Sequence, residues 1–264
     1  MDSTVTPQTR LGDLAREYWE ERMYNEPLLA TGLGDRRFDD RLPDISPEGR
    51  VCMRRQYEAI VRRCKAIPES GLPTGDRLTR TALLVDAGSV LDYSSCDLDD
   101  WVVDPLQGLQ VELMNVESYQ PVRTVAEGCA MVERWQAIGP YIDRHIANLR
   151  AGALGHRVAV RVVVEKVIEE LEDLTSKPDS EWALLRPLTA KRDWTEEESR
   201  KFVEGLEGAV RESARPGFER YLEFLKSQLL PVARPQEKPG IMHIAGGAEA
   251  YVKLIRVHTS LSLT

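Results

Sequence analysis

The sequence predicts an all-α protein, a single helical domain of about eight helices over residues 1–264. Apolar residues recur every three or four positions through most of the chain, which is the period of an amphipathic helix. Stretches in which apolar and polar residues alternate, as in a half-buried strand, are scarce. Helix-start signals agree with this pattern. Ser46 precedes Pro47, and Thr195 stands three residues before Glu198.

The predicted helices follow from these patterns in chain order. They cover about residues 11–24, 46–64, 76–91, 124–138, 140–150, 158–174, 195–230 and 247–257. Gly139 and Pro140 are expected to break the helix that starts at Thr124, and Pro216 to kink or split the helix that starts at Thr195. The valine cluster 158–164 favours a strand as well, but the acidic residues that follow it indicate a helix.

The segment from Cys96 to Val122 has a weaker pattern, interrupted by acidic residues, prolines and a glycine. We expect a long, partly ordered excursion there, and such excursions are often functional. No internal repeat or low-complexity segment interrupts the rest of the chain, so one domain is the simplest interpretation.

The composition excludes several classes of protein. Lys plus Arg total 35 against 43 Asp plus Glu, a net charge of −8, which makes nucleic acid an improbable partner. No apolar run approaches the roughly 20 residues that cross a membrane, and the first residues show no secretion signal, so we expect a cytoplasmic protein without a membrane partner. The four cysteines are far apart and are expected to be reduced: Cys52, Cys64, Cys96 and Cys129.

The sequence contains no self-sufficient active site. HExxH, P-loop, GxGxxG, GxSxG and EF-hand patterns are absent. None of the four histidines, His145, His156, His243 and His258, has another histidine three to five residues away, as metal ligands on a helix usually do. We therefore predict no catalytic residue, no metal ligand and no cofactor in this chain.

Two weaker patterns leave alternatives open. The acidic residues Asp39 and Asp40, and the group Asp97, Asp99 and Asp100, could act as general acids and bases or hold a hard cation, although solvated loop acids are the favoured interpretation. The glycines of the segment 31–35 could bind an anion, but a tight turn between helices is favoured.

The C-terminal segment is the richest in candidate binding residues. Gly246 and Gly247 permit close backbone approach, Tyr251 supplies a phenol, and His258 lies two turns further on the same helix face. This group could line a pocket. Alternatively, the two glycines merely start a helix and Tyr251 packs in the core.

Several motifs together resemble the domain of unknown function 885 family. They are 27–35 (PLLATGLGD), 148–152 (NLRAG) with the valine-rich helix after it, 221–234 (YLEFLKSQLLPVAR), and Gly246-Gly247 with Tyr251 and His258-Thr259. The resemblance runs in order over essentially the whole chain. It implies a relation to the helical HExxH zinc metallopeptidases.

The resemblance also shows a departure. In the family, the HExxH helix and its downstream glutamate lie beyond the His258-Thr259 motif, so zinc is expected only in a full-length relative. The uncharged segment 260–264, without a C-cap glycine, is interpreted as an interrupted chain. The segment before the zinc helix forms a wall of the substrate cleft in such relatives. The resemblance therefore implies substrate contact, not catalysis, for Gly246, Gly247, Tyr251 and His258.

Three hypotheses follow. The first is the helical N-terminal region of a metallopeptidase-like hydrolase, inactive alone, with a peptide substrate, a C-terminal catalytic half or another copy of itself as partner. The second is a stand-alone helical binding module or a subunit of a split enzyme. The third is a non-zinc enzyme that uses the acids of 97–104. An uncovered apolar patch near Val252, Leu254, Ile255 and Leu261 would favour the first over the second.

Overall fold

The computed structural model describes residues 6–261 and confirms the all-α fold. Within this range no strand forms, and the only sheet-like pairing is an isolated parallel bridge between Val160 and Arg234. The α-helices are α1 (Pro7–Asn25), α2 (Pro27–Leu33), α3 (Pro47–Lys65), α4 (Thr74–Ser94), α5 (Leu109–Asn115), α6 (Val125–Gln136), α7 (Ile138–Leu154), α8 (Arg161–Ser176), α9 (Glu196–Ala209), α10 (Arg215–Phe224) and α11 (Gly247–Thr259).

The chain divides into two compact units, which are described separately; the single-domain organisation stays a prediction. The first unit comprises residues 1–25, 46–97 and 246–264 and contains α1, α3, α4 and α11. Its core is small, and the side chains that α1, α3 and α4 contribute to it include Leu11, Leu14, Tyr57, Ile60 and Leu83.

The second unit comprises residues 26–45 and 98–245 and contains the other seven α-helices. Its core is larger and includes two fully covered tryptophans, Trp135 and Trp182. The indole Nε1 of Trp135 donates to the carbonyl of Leu184 at 3.0 Å, so this ring is fixed by a hydrogen bond as well as by packing.

The local start signals act as the sequence predicts. Ser46 Oγ accepts a hydrogen bond from the N–H of Gly49 at 3.0 Å. Thr195 and Glu198 form a reciprocal capping box at the start of α9. These confirmed caps satisfy N–H groups that have no partner inside the helix.

Pro216 does not split the helix that starts at Thr195, which was one of the two effects expected of it. A π-helical turn, Val210–Ala214, connects α9 directly to α10, and a second one, Leu225–Leu229, follows α10. Proline cannot donate to the carbonyl four residues before it, and its ring crowds that carbonyl. The wider π turn accommodates both effects, so the helix continues.

Three other boundaries differ from the predicted ones. The break before α7 falls at Ala137, because Pro140 lies in the first turn of α7, where no N–H is needed. Residues Val158–Val160 are extended and α8 begins at Arg161, so the β-branched residues keep part of their strand preference. The excursion 96–122 contains α5 and short 3₁₀ turns.

Candidate functional site

The four residues singled out by the sequence lie at α11. Gly246 adopts φ = +72°, the left-handed conformation that glycine tolerates best, and caps the helix. Gly247 is the one buried residue of α11. The glycine pair therefore makes the turn into the helix, as one of the two interpretations expected.

Polar contacts attach α11 to the end of α4. The guanidinium of Arg256 lies 2.6 Å from the carboxylate of Asp92. Lys253 Nζ donates to Ser95 Oγ at 2.8 Å, and the Cys96 thiol donates to the carbonyl of Ala250 at 3.6 Å. These contacts fix which side of α11 faces away from α4.

The opposite side of α11 is mainly apolar, and most of its residues are exposed. We call Ala248, Tyr251, Val252, Ile255 and Thr259 the α11 stripe, because their spacing of three and four places them on one face. None of them is buried, and Tyr251 keeps 55% of its surface exposed. A stripe with this spacing normally faces a partner.

The uncovered apolar patch expected from the sequence is present only in part. Of its residues, Val252 and Leu261 are exposed, whereas Leu254 and Ile255 are half-buried. His258 is exposed and its ring lies edge-on to Tyr93, with 6.4 Å between the centroids. Tyr251 is on the surface and not in the core, which leaves its phenol available for contact.

The acidic residues considered as alternatives mostly have structural partners. Asp97 pairs with Arg54 at 3.1 Å, and Asp100 lies 3.7 Å from Arg157. The Asp104 carboxylate accepts from the N–H groups of Leu106 and Gln107. These contacts favour a role in holding the 97–107 segment.

Asp39 is buried in a polar network around Arg134, which the sequence did not reveal. Arg134 Nη1 donates to Gln120 Oε1 at 2.6 Å, and its Nη2 donates to Thr31 Oγ1 at 2.9 Å. Thr31 donates to Asp39 at 2.6 Å, and Arg134 Nη2 donates to the carbonyl of Phe38 at 2.6 Å. The network ties the segment after α2 to α6.

Burial lowers the pKa of Arg134 to about 10, and the nearby Asp39 opposes that shift. Arg134 therefore remains ionised at neutral pH. In the sequence, Arg134 stands in the stretch VERW and looks like any solvent-exposed helix residue. No local pattern therefore indicates that it is buried.

Buried titratable groups cluster elsewhere in the second unit. Burial lowers the pKa of His145 to about 4, and its ring lies edge-on to Tyr221. The pKa of Glu112, whose residue is exposed overall, is raised first by the atoms packed around its carboxyl group and then by the charge of Asp99. Burial also raises the pKa of Tyr141, assisted by the same two carboxylates. His145 is therefore neutral at physiological pH.

Neither a metal centre nor a membrane span emerges in the described part of the chain. No three His, Cys, Asp or Glu side chains of residues 6–261 come together in a way that could hold a metal ion. The residues present there do not fit a zinc site, so no chemical step is assigned to a metal. No described helix is both long and apolar enough to span a bilayer.

Comparison with known proteins places this helical fold in a family. The family described as "Bacterial protein of unknown function (DUF885)" matches residues 27–264, and the chain belongs to it. No curated protein matches. Among solved structures, one described as "putative lipoprotein from Colwellia psychrerythraea" matches with a TM-score of 0.84 and 18% identity. The match covers 99% of this chain but 47% of that structure, so the chain spans about half its length.

Proposed function

We propose that this chain is the helical N-terminal region of a metallopeptidase-like hydrolase. In this role it supplies scaffold and one wall of the substrate cleft, and it has no catalytic centre of its own. A second half of the hydrolase contains the zinc site and carries out the reaction, and the substrate is a peptide. Cytoplasmic localisation is part of the proposal, and cell fractionation tests it, since the solved neighbour is described as a putative lipoprotein.

The α11 stripe is the observation that carries this proposal. Tyr251 and Val252 belong to this face and keep 55% and 42% of their surface exposed. Exposing such a face to water is unfavourable, by about 25 cal/mol per Å² of apolar surface that a partner would otherwise cover. The solved neighbour has about as much chain again outside the matched region, which is enough for such a partner.

The first experiment is isolation of the protein from its native source, with intact mass and zinc content measured together. The proposal expects a species heavier than 29.8 kDa, or a complex with a second polypeptide, that contains zinc and hydrolyses peptides. A zinc-free species of 29.8 kDa without a partner would overturn it in favour of the binding module.

A pair of variants tests whether the α11 stripe is the contact surface. Val252→Glu combined with Ile255→Glu should release the second half or the partner, because two buried unpaired charges are costly. Glu249→Lys, on the charged side of the same helix, is the matched control. Retention of the partner by the double variant would contradict this assignment of the surface.

A further inference from the structure

A groove runs between α7 and α10 in the second unit. The two helices run in the same direction, because Gly139 lies against Gly217 and Asp143 pairs with Arg220 further along both. A Cβ at Gly217 would come to 3.0 Å from the Cα of Gly139, so the helices touch at this point. Beyond it lies a groove of about 590 Å³. This volume is in the usual range for small-ligand sites, roughly 300–1,000 Å³.

The groove has an apolar floor and a defined length. Ile146, Pro216 and Phe224 supply the floor. Along α7 the lining residues run from Asp143 to Arg150, seven residues apart, which is a distance of about 10 Å at 1.5 Å per residue. An extended peptide advances about 3.3 Å per residue, so about three residues fit this length.

One end of the groove is positive. Arg150 Nε donates to Gln228 Oε1 at 3.1 Å, and its guanidinium lies 5.3 Å from the ring centroid of Phe224. No carboxylate of residues 6–261 pairs with Arg150. The hydrogen bond to Gln228 and the contact with Phe224 hold the guanidinium in place. Its two Nη nitrogens can therefore form a bidentate pair with a carboxylate.

The other charged groups make the groove dipolar. Arg220 is fully engaged, since Nε and Nη2 both donate to Asp143 at 2.8 Å. Glu223 pairs with no cation in the described part of the chain, and Glu219 lies 3.8 Å from Arg215. Glu219 and Glu223 precede Gln228, which Arg150 contacts, by nine and five residues, so negative charge lies on one side of Arg150 along the helix.

We propose that this groove binds a short peptide of about three residues with free termini. The peptide carboxylate pairs with Arg150, the ammonium group lies near Glu219 and Glu223, and an apolar middle side chain packs on Ile146 and Phe224. Glu219 and Glu223 lie about 14 and 8 Å along the helix from the partner of Arg150, and these separations bracket the length of a tripeptide. The opposite charges at this spacing point to a zwitterion and not to a simple anion. This site is separate from α11 and its test does not depend on zinc.

Isothermal titration of the 264-residue chain with the tripeptide Ala-Leu-Ala tests the site. We expect measurable binding, and at least about tenfold weaker binding of N-acetyl-Ala-Leu-Ala-amide, because the blocked peptide lacks both charges. Arg150→Gln should weaken the free tripeptide about tenfold. Arg144→Gln, an exposed arginine of α7 outside the groove, should leave its affinity unchanged.

A second variant separates the two ends. Glu223→Gln should weaken Ala-Leu-Ala but not its N-acetylated form, while circular dichroism verifies that each variant is folded. Equal binding of free and blocked peptides, acetate binding as well as the tripeptide, or no binding at about 10 mM would each overturn the proposal. These outcomes leave the zinc and mass measurements on the native protein unaffected.

Discussion

Helix α7 in the second unit buries nine of its 17 residues, whereas α4 in the first unit has 21 residues and buries only Leu83 and Ala87. Helix α11, also in the first unit, buries only Gly247. The second unit thus contains a closed core with buried polar groups. The first unit presents helix faces that its own described residues leave open, which is the property expected of a surface that contacts a partner or a substrate.

Removing the buried guanidinium of Arg134 in the second unit should have the largest effect on the free energy of unfolding. Arg134→Met leaves the buried Asp39 with only the partly exposed Arg36 as a nearby cation, at 3.5 Å, and removes the donor to Gln120. We expect a loss of about 3–5 kcal/mol in the free energy of unfolding, measured by urea denaturation. Arg200→Met, which breaks exposed pairs with Glu197 and Glu204, should cost less than about 1 kcal/mol. Similar losses for both variants would contradict a structural role for the network.

Acid should destabilise the second unit through His145. Its pKa in the folded protein is about 4, below the ordinary 6.5, so the unfolded chain takes up a proton first as the pH falls. Stability is fully present above pH 6.5 and is lost progressively toward pH 4, by up to about 3 kcal/mol at 1.36 kcal/mol per pKa unit. His145→Phe keeps an aromatic ring beside Tyr221 and should flatten this part of the pH profile. An unchanged slope in this variant would assign the acid sensitivity to other groups.

Two glycine substitutions compare the packing of the units directly. A Cβ at Gly152 in α7 would come to 1.8 Å from the carbonyl oxygen of Asp100, so Gly152→Ala should destabilise by about 1–3 kcal/mol. Nothing lies within 4 Å of a Cβ at Gly88 in α4. Gly88→Ala should therefore stabilise by about 0.5–1 kcal/mol through helix propensity. Thermal unfolding of both variants measures these two opposite changes in stability. A change of the same sign in both variants would contradict the prediction.

Features that depend on neighbouring residues were predictable from the sequence. The capping box of Thr195 and Glu198 spans three residues, and the helical period of α11 is likewise local. The sequence also placed Gly246 and Gly247 at the start of this helix. It did not decide whether Tyr251 is buried, because a three- and four-residue spacing is the same for a core face and for an uncovered one.

Features that depend on distant contacts were not predictable. Arg134 and Thr31 are 103 residues apart in the chain, and only the fold brings them to 2.9 Å. Arg150 was part of a recognised motif, but its position over Phe224 depends on the packing of α7 against α10. The π turn that precedes Pro216 and keeps the helix continuous was not predictable either, because no residue pattern signals it.

Tyr251→Phe should have the smallest effect on folding and the most informative effect on function. The side chain is 55% exposed and its hydroxyl makes no hydrogen bond within residues 6–261, so the free energy of unfolding should change by less than about 0.5 kcal/mol. If α11 forms a wall of the substrate cleft, the same change in a complete enzyme should lower peptide turnover about tenfold, the value of one lost hydrogen bond in the transition state. Tyr24→Phe, an exposed tyrosine of α1, serves as the control. Unchanged kinetics for Tyr251→Phe would remove this phenol from the cleft, and α11 would then be a surface for docking alone.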